Sequence, residues 1–160
     1  MLDPARIMQR CDALARHSEL PGGLTRVFLS PEARAASDQV LGWMREAGMQ
    51  AQLDAIGNAA GRYEGERPGL PCLMLGSHLD TVREAGKYDG MLGVVAATEC
   101  VHALNSRKKR LPFAIEVIGF GDEEGVRFGT TLLGSRAVAG ILDHSVLKMK
   151  DAKGIAMSDA

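Results

Sequence analysis

Two short clusters hold nearly all the chemistry this sequence can offer. The first is Gly76-Ser77-His78-Leu79-Asp80-Thr81, followed by Tyr88-Asp89-Gly90; the second is Gly119-Phe120-Gly121-Asp122-Glu123-Glu124-Gly125. His78 offers a neutral imidazole nitrogen, while Asp89 and Glu124 offer carboxylate oxygens, a mixture suited to zinc, manganese or a similar divalent ion. Asp80 stands two residues beyond His78. In an extended backbone it lies on the same side of the chain, where it can accept a hydrogen bond from the other imidazole nitrogen and fix the ring's tautomer. The adjacent Glu123 and Glu124 repel each other wherever they are partly buried, a cost that a cation would relieve. One of the two would then bind metal, leaving the other to take a proton from the attacking water, as in metal-assisted hydrolysis.

Each piece alone is ordinary. A lone His-x-Asp is often a satisfied structural pair, an acidic pair in a loop is often solvated surface, and Asp89-Gly90 is equally a turn before a helix. Weight comes from the elements between them. The run Cys72-Leu73-Met74-Leu75 after Pro71 lacks alternation, so it predicts a strand covered on both faces. Leu92, Val95, Ala96, Glu99 and Cys100 suit a helix from Gly90 to about Leu104, and Phe113 to Phe120 is again an apolar run of strand length. Strand, helix and strand make a right-handed parallel crossover, which sets the carboxyl ends of the two strands side by side. Ligands collect at such ends in open α/β sheets.

The remaining elements frame this unit. Ile7, Cys11 and Leu14 recur at helical spacing and predict an amphipathic first helix that ends before Pro21-Gly22-Gly23. Ser30 can cap a second helix with Pro31 at its first position, Glu32 at its positive end and Gly48 past its last turn; Val40, Leu41 and Met44 would face the core. Gln50 to Ile56 and Gly61 to Glu64 read as short strands joined at Gly57-Asn58, and Thr131 to Ala139 as a helix stopped by Gly140. Together they predict an α/β fold, a mostly parallel, mixed sheet with helices on both faces.

Composition narrows the function. With 46% hydrophobic and 24% charged residues among 160, the chain can bury one core. Nineteen basic against twenty acidic side chains leave a formal charge of -1, which offers no electrostatic case for nucleic acid or an anionic membrane. Small molecules or proteins are the expected partners. The first twenty residues contain no apolar stretch of signal or membrane-span type, so a cytoplasmic location is expected. Cys11, Cys72 and Cys100 are odd in number and far apart, matching neither a disulfide framework nor a zinc knuckle. The basic run Arg107-Lys108-Lys109-Arg110 reads as a solvated connection. Ser77 would point away from His78, no GxSxG elbow is present, and no glycine pattern of GxGxxG or Walker type suggests a nucleotide cofactor.

The stretches GSHLDTVREAGKYDGMLGVVAATECV and VIGFGDEEGVRFGTTLLGSRAVAG resemble the metal-binding core of the M20 metallopeptidase/carbamoylase family, in its allantoate amidohydrolase and N-carbamoyl-L-amino-acid hydrolase branch. TRVFLSPEARAA, DAIGNAAGRYEG and the EEG-x-RF element from Glu123 to Phe128 also resemble that branch. The resemblance implies a partial zinc-peptidase-like catalytic domain with two divalent ions, zinc or manganese. His78 would bind one, Asp89 would bridge both, Glu124 would bind the second, Glu123 would be the general base and Asp80 would orient His78. The implied reaction is hydrolysis of the carbamoyl C–N bond of allantoate or an N-carbamoyl-L-amino acid.

Members of that family run to more than twice this length and carry two further histidine ligands. His144 does not resemble either ligand motif, and His17 and His102 read as surface or packing residues. Residues 1–160 are therefore expected to be an N-terminal part of the catalytic domain, without the lid and dimerisation domain and the C-terminal catalytic segment. Such a part is expected to be inactive alone, its parent a homodimer. Two alternatives stand beside this reading: an M20 peptidase or aminoacylase acting on peptides or N-acyl amino acids, and a non-catalytic interaction domain.

Overall fold

The computed structural model describes residues 2–160. Its first helix, α1 (Pro4–Leu14), starts where the Asp3 carboxylate accepts the Arg6 N–H at 3.2 Å, and it buries Cys11 and Leu14. Helix α2 (Pro31–Glu46) is punctuated as its sequence predicts: Ser30 Oγ accepts the Ala33 N–H at 3.1 Å, Glu32 sits in the first turn, and Gly48 leaves the helix at φ +84°. Val40, Leu41 and Met44 are buried on its inner face. Each such side chain taken out of water contributes roughly 1.5–3 kcal/mol.

Strands β1 (Gln50–Leu53) and β2 (Ala59–Tyr63) form an antiparallel hairpin, with Leu53 opposite Ala59. The first strand stops short of the expected Ile56 because the Asp54 carboxylate takes the Ile56 and Asn58 N–H groups at 3.0 and 2.8 Å and closes the turn. Strand β3 (Cys72–His78), helix α3 (Met91–Ser106) and strand β4 (Ala114–Phe120) follow, with β3 and β4 parallel as the crossover predicts. The sheet order is β1-β2-β4-β3. Helix α4 (Leu133–Val138) is shorter than its predicted span and lies past the end of β4; two 3-10 turns, His144–Lys148 and Met157–Asp159, complete the chain.

The mixed α/β class holds, and its layering differs from the expectation in two ways. One strand pair is parallel and two are antiparallel. The three long helices share one face: α2 packs on β1 and β2, α3 on β3 and β4, and α3 touches both α1 and α2. On the other face Gln52, Ala60, Arg62 and Glu116 line an open groove. Strand β3, expected to be covered on both faces, is instead an edge strand whose Leu73 and Met74 are each 47% exposed. An unbroken apolar run records only that a strand packs somewhere. Here β4 supplies one neighbour and α3 covers one face, and among the described residues nothing lies beyond the other edge. No described helix is long and apolar enough to cross a membrane.

A buried ion cluster fastens the helices together. Glu99, on the core side of α3, is fully buried and receives Arg6 at 2.6 Å and Arg10 at 2.6 Å, both from α1. Arg10 also reaches Glu46 of α2 at 3.0 Å and stacks over Trp43. His102 is a packing residue, its Nδ1 accepting from Arg6 at 3.1 Å. Removing one partner of a buried ion cluster strands the others' charge, which costs far more than an exposed pair. Glu99→Ala is expected to lower stability by roughly 3–5 kcal/mol in urea unfolding; a loss below about 1 kcal/mol would show that water, not Glu99, solvates the two guanidinium groups.

Candidate metal centre

The parallel register brings the two clusters together. His78 pairs with Phe120 at the carboxyl end of the β3–β4 ladder, and the Leu79 N–H continues it onto the Phe120 carbonyl at 3.0 Å. Both chains then turn away from the sheet into adjacent loops. His78, Asp89 and Glu124 each present one ligand atom, and these atoms all lie within 4.8 Å of one another. The imidazole is half-buried, and its Nε2 lies 3.6 Å from Asp89 Oδ1, while the Asp89 side chain is 54% exposed. One nitrogen and two carboxylate oxygens at this spacing fit a divalent ion of zinc or manganese type.

Gly90 explains why Asp89 sits so close to the ring. At φ +70° and ψ -62° its backbone is strained for any residue with a side chain, and a Cβ added there would lie 2.5 Å from His78 ring atoms. The imidazole therefore rests directly on the backbone that starts α3.

Asp80 differs in detail from the expectation that its carboxylate orients His78. The closest acceptor to His78 Nδ1 is the Asp80 main-chain carbonyl at 2.9 Å, with the carboxylate at 3.6 Å. In the neutral ring that metal binding requires, a proton held on Nδ1 by that carbonyl leaves the Nε2 lone pair toward Asp89 and Glu124. The Asp80 carboxylate itself is buried and accepts the Glu123 N–H and the Glu124 N–H, each at 3.0 Å. One side chain from the first loop thus fixes the backbone of both glutamates in the second.

The electrostatics of the pocket favour a cation. The Asp80 carboxylate raises the His78 ring's pKa to about 9, with burial pulling the other way. Burial and then the neighbouring Glu123 push the Glu124 carboxyl above its ordinary range. Asp122 is buried with both carboxylate oxygens unpartnered among the described residues, and burial followed by the Asp80 charge raises it to about 7. Carboxylates crowded in this way are relieved by a positive ion among them.

Three residues that sequence reasoning passed over hold the loops from beneath. Asn58 is fully buried; its Oδ1 accepts the Gly121 N–H at 3.0 Å and its Nδ2 donates to Asp54 and to the Gly134 carbonyl. Arg26, also fully buried, donates Nε to the Leu79 carbonyl at 2.8 Å. Arg127 of the EEG-x-RF element reaches the Phe28 and Leu29 carbonyls and pairs with Asp151 at 3.1 Å, while Phe128 packs edge-on against Phe28. The only signal for them was that TRVFLSPEARAA, DAIGNAAGRYEG and EEG-x-RF stood out as motifs without a chemical role. Ser77 packs against Gly93, three residues along α3 from the Gly90 that meets His78, and His144 is exposed and outside the cluster.

Similarity to known proteins follows the same residues. The model of Peptidase family M28 matches residues 58–157. Allantoate deiminase 1 of Glycine max is 43% identical over 148 residues, 91% of this chain and 31% of the relative. The N-carbamoyl-L-amino acid amidohydrolase of Geobacillus stearothermophilus is 42% identical over 161 residues, all of this chain and 39% of the relative. A hydantoinase/carbamoylase family amidase from Burkholderia ambifaria superposes with a TM-score of 0.92 at 35% identity, covering 99% of this chain and 39% of that one. The chain belongs to the hydantoinase/carbamoylase family.

The matching family model carries the M28 peptidase name where the motifs resembled M20, and the full-chain relatives carry the allantoate and carbamoyl names. Membership of this zinc-peptidase-like family implies metal binding, and its relatives are amidohydrolases. The chain spans 31% to 39% of the length of the hydantoinase/carbamoylase relatives described above.

Two measurements probe this geometry. In metal-free protein the His78 ring is expected to titrate near pH 9 by NMR, and Asp80→Asn to bring the midpoint down; a midpoint at or below the ordinary 6.5 would show that the carboxylate does not reach the ring. Gly90→Ala is expected to push the imidazole aside and weaken zinc binding roughly 10- to 100-fold in calorimetry, the range typical of groups that orient a ligand; unchanged affinity would mean that the ring is free to move.

Proposed function

We propose that this chain carries part of the active centre of a dinuclear-metal amidohydrolase that cleaves the carbamoyl C–N bond of allantoate or of an N-carbamoyl-L-amino acid. The observation that carries the proposal is the convergence of His78, Asp89 and Glu124 at adjacent parallel strand ends, with Glu123 beside them. The names of the allantoate deiminase and carbamoyl-amino-acid hydrolase relatives support the substrate class.

In this reading His78 Nε2, Asp89 and Glu124 would hold two divalent ions, zinc or manganese. Bound ions supply the positive charge that polarises the ureido carbonyl and eases deprotonation of water. Glu123 takes the proton from the attacking water and delivers it to the leaving nitrogen, giving ammonia, carbon dioxide and the amine-bearing acid. The Asp80 carbonyl keeps Nδ1 protonated, and the Asp80 carboxylate keeps Glu123 and Glu124 on one rigid stretch of backbone. Substrate-selecting groups, further ligands and a homodimeric partner are assigned to the remainder of a protein of the relatives' length, and residues 1–160 alone are read as inactive. Cleavage of peptides or N-acyl amino acids is the second reading, favoured by the match to Peptidase family M28.

Calorimetry with zinc and manganese on this chain and on Asp89→Ala tests the centre: binding of about two ions, lost in the variant, is expected. Failure of either ion to bind would count against a preformed site. In a protein of the relatives' length, ammonia release from allantoate or an N-carbamoyl-L-amino acid is expected, with Glu123→Gln lowering kcat by about 10²–10⁴-fold while metal content stays intact. Cleavage of dipeptides in preference to both ureido substrates would select the second reading.

A further inference from the structure

Arg26 is the one fully buried guanidinium in the molecule that pairs with no carboxylate among the described residues. Burial lowers its pKa to about 10, and Asp80 is the carboxylate whose charge opposes that shift. A buried cation without an ion-pair partner is costly, and an apolar side chain would fill the same space without that cost. Its hydrogen bonds indicate what it does there. Nη1 donates to the Leu14 and His17 carbonyls at 2.7 and 3.0 Å, where α1 ends, and Nε donates to the Leu79 carbonyl at 2.8 Å. The backbone of Arg26 adds a two-way link to Thr81: its N–H donates to Thr81 Oγ1 and its carbonyl accepts the Thr81 N–H, each at 2.9 Å.

Leu79 lies between His78 and Asp80. Its N–H is held by Phe120 and its carbonyl by Arg26, so the sheet fixes the peptide unit before Leu79 and Arg26 fixes the one leading into Asp80. Asp80 in turn spends both carboxylate oxygens on the Glu123 and Glu124 N–H groups and its carbonyl on His78 Nδ1. We propose that Arg26 is a positioning residue of the metal centre: through the Leu79 carbonyl and the Thr81 backbone it sets the direction of Asp80, and so the relative placement of His78, Glu123 and Glu124.

This role rests on the reading of those three residues as the working groups of the centre. The competing account is that Arg26 only finishes α1, neutralising the carbonyls at its carboxyl end. The two accounts differ at the glutamate amides, which lie far along the chain from α1.

The test uses this chain without metal, by amide hydrogen exchange in NMR. In Arg26→Met and Arg26→Lys the Glu123 and Glu124 amides are expected to exchange at least about tenfold faster, while β2 amides keep their protection. Lysine keeps the cation but cannot span three carbonyls with a planar fork, so it is not expected to rescue. Met44→Ala, a core truncation on α2, serves as a control for general destabilisation and is expected to leave the two glutamate amides in step with the rest of the sheet. Unchanged Glu123 and Glu124 protection in either Arg26 variant, or the same selective loss in the control, would overturn the proposal. Should neither variant fold, the wild type decides: a slowly exchanging Arg26 Nε–H is expected, and one that exchanges freely would overturn it.

Zinc titration of the same samples is a separate arm. A wild type that binds no zinc would count against the proposed centre and leave the amide result standing. A wild type that binds zinc, with affinity about 10- to 100-fold weaker in Arg26→Lys, would extend the positioning role to the ion.

Discussion

The Asp80 carboxylate, accepting the Glu123 and Glu124 N–H groups, is the contact on which the rest of the site depends. Parallel strands bring two loops near each other, but proximity at a sheet end does not determine which side chains face one another. A buried carboxylate with two oxygens and two matched donors does, because leaving either donor unpaired away from water costs about 1–3 kcal/mol. The structure commits further buried polar groups to the same end. Arg26 holds the peptide before Asp80, and Asn58 holds Gly121 and Gly134 on the far side of the loop. Apolar packing makes the sheet and its helices; a few saturated polar side chains give the loops one conformation.

The fold was legible wherever a local rule applied. Ser30 and Pro31 announce α2, the β3-α3-β4 order announces the parallel pair, and His78, Asp89 and Glu124 meet as a group. What was not legible depended on neighbours distant in sequence. The apolar run of β3 looks the same whether the strand is central or at an edge, and only the sheet order settles it. Glu99 looked like one more helix residue and proved to be the buried hub for Arg6 and Arg10. In the same way, Asp80 was legible as a partner of His78, but its hold on the glutamate backbone was not, since no pattern of spacing records hydrogen bonds between chain segments that the fold alone brings together.

Arg127 and Arg26 show why a motif's recognisability is a poor guide to its chemistry. Both lie in stretches that mark the branch of the family, yet the guanidinium of each ends largely on main-chain carbonyls: Phe28 and Leu29 for one, Leu79, Leu14 and His17 for the other. Arginine suits this work because its planar fork can satisfy several carbonyls at fixed angles, which lysine cannot. A residue type that suggests anion binding from sequence is used here as internal scaffolding.

The three prospective ligands come from separate segments: the end of β3, the turn before α3 and the loop after β4. Ions held by these three residues would therefore act as reversible cross-links between parts of the chain that the unfolded state lets drift apart. Such a link makes folding and ion concentration thermodynamically inseparable, each tenfold rise in free ion above its dissociation constant adding about 1.4 kcal/mol to the folded state. The melting temperature of this domain would then be a gauge of the metal supply around it, with the β3–β4 ladder as the part of the fold that registers the reading.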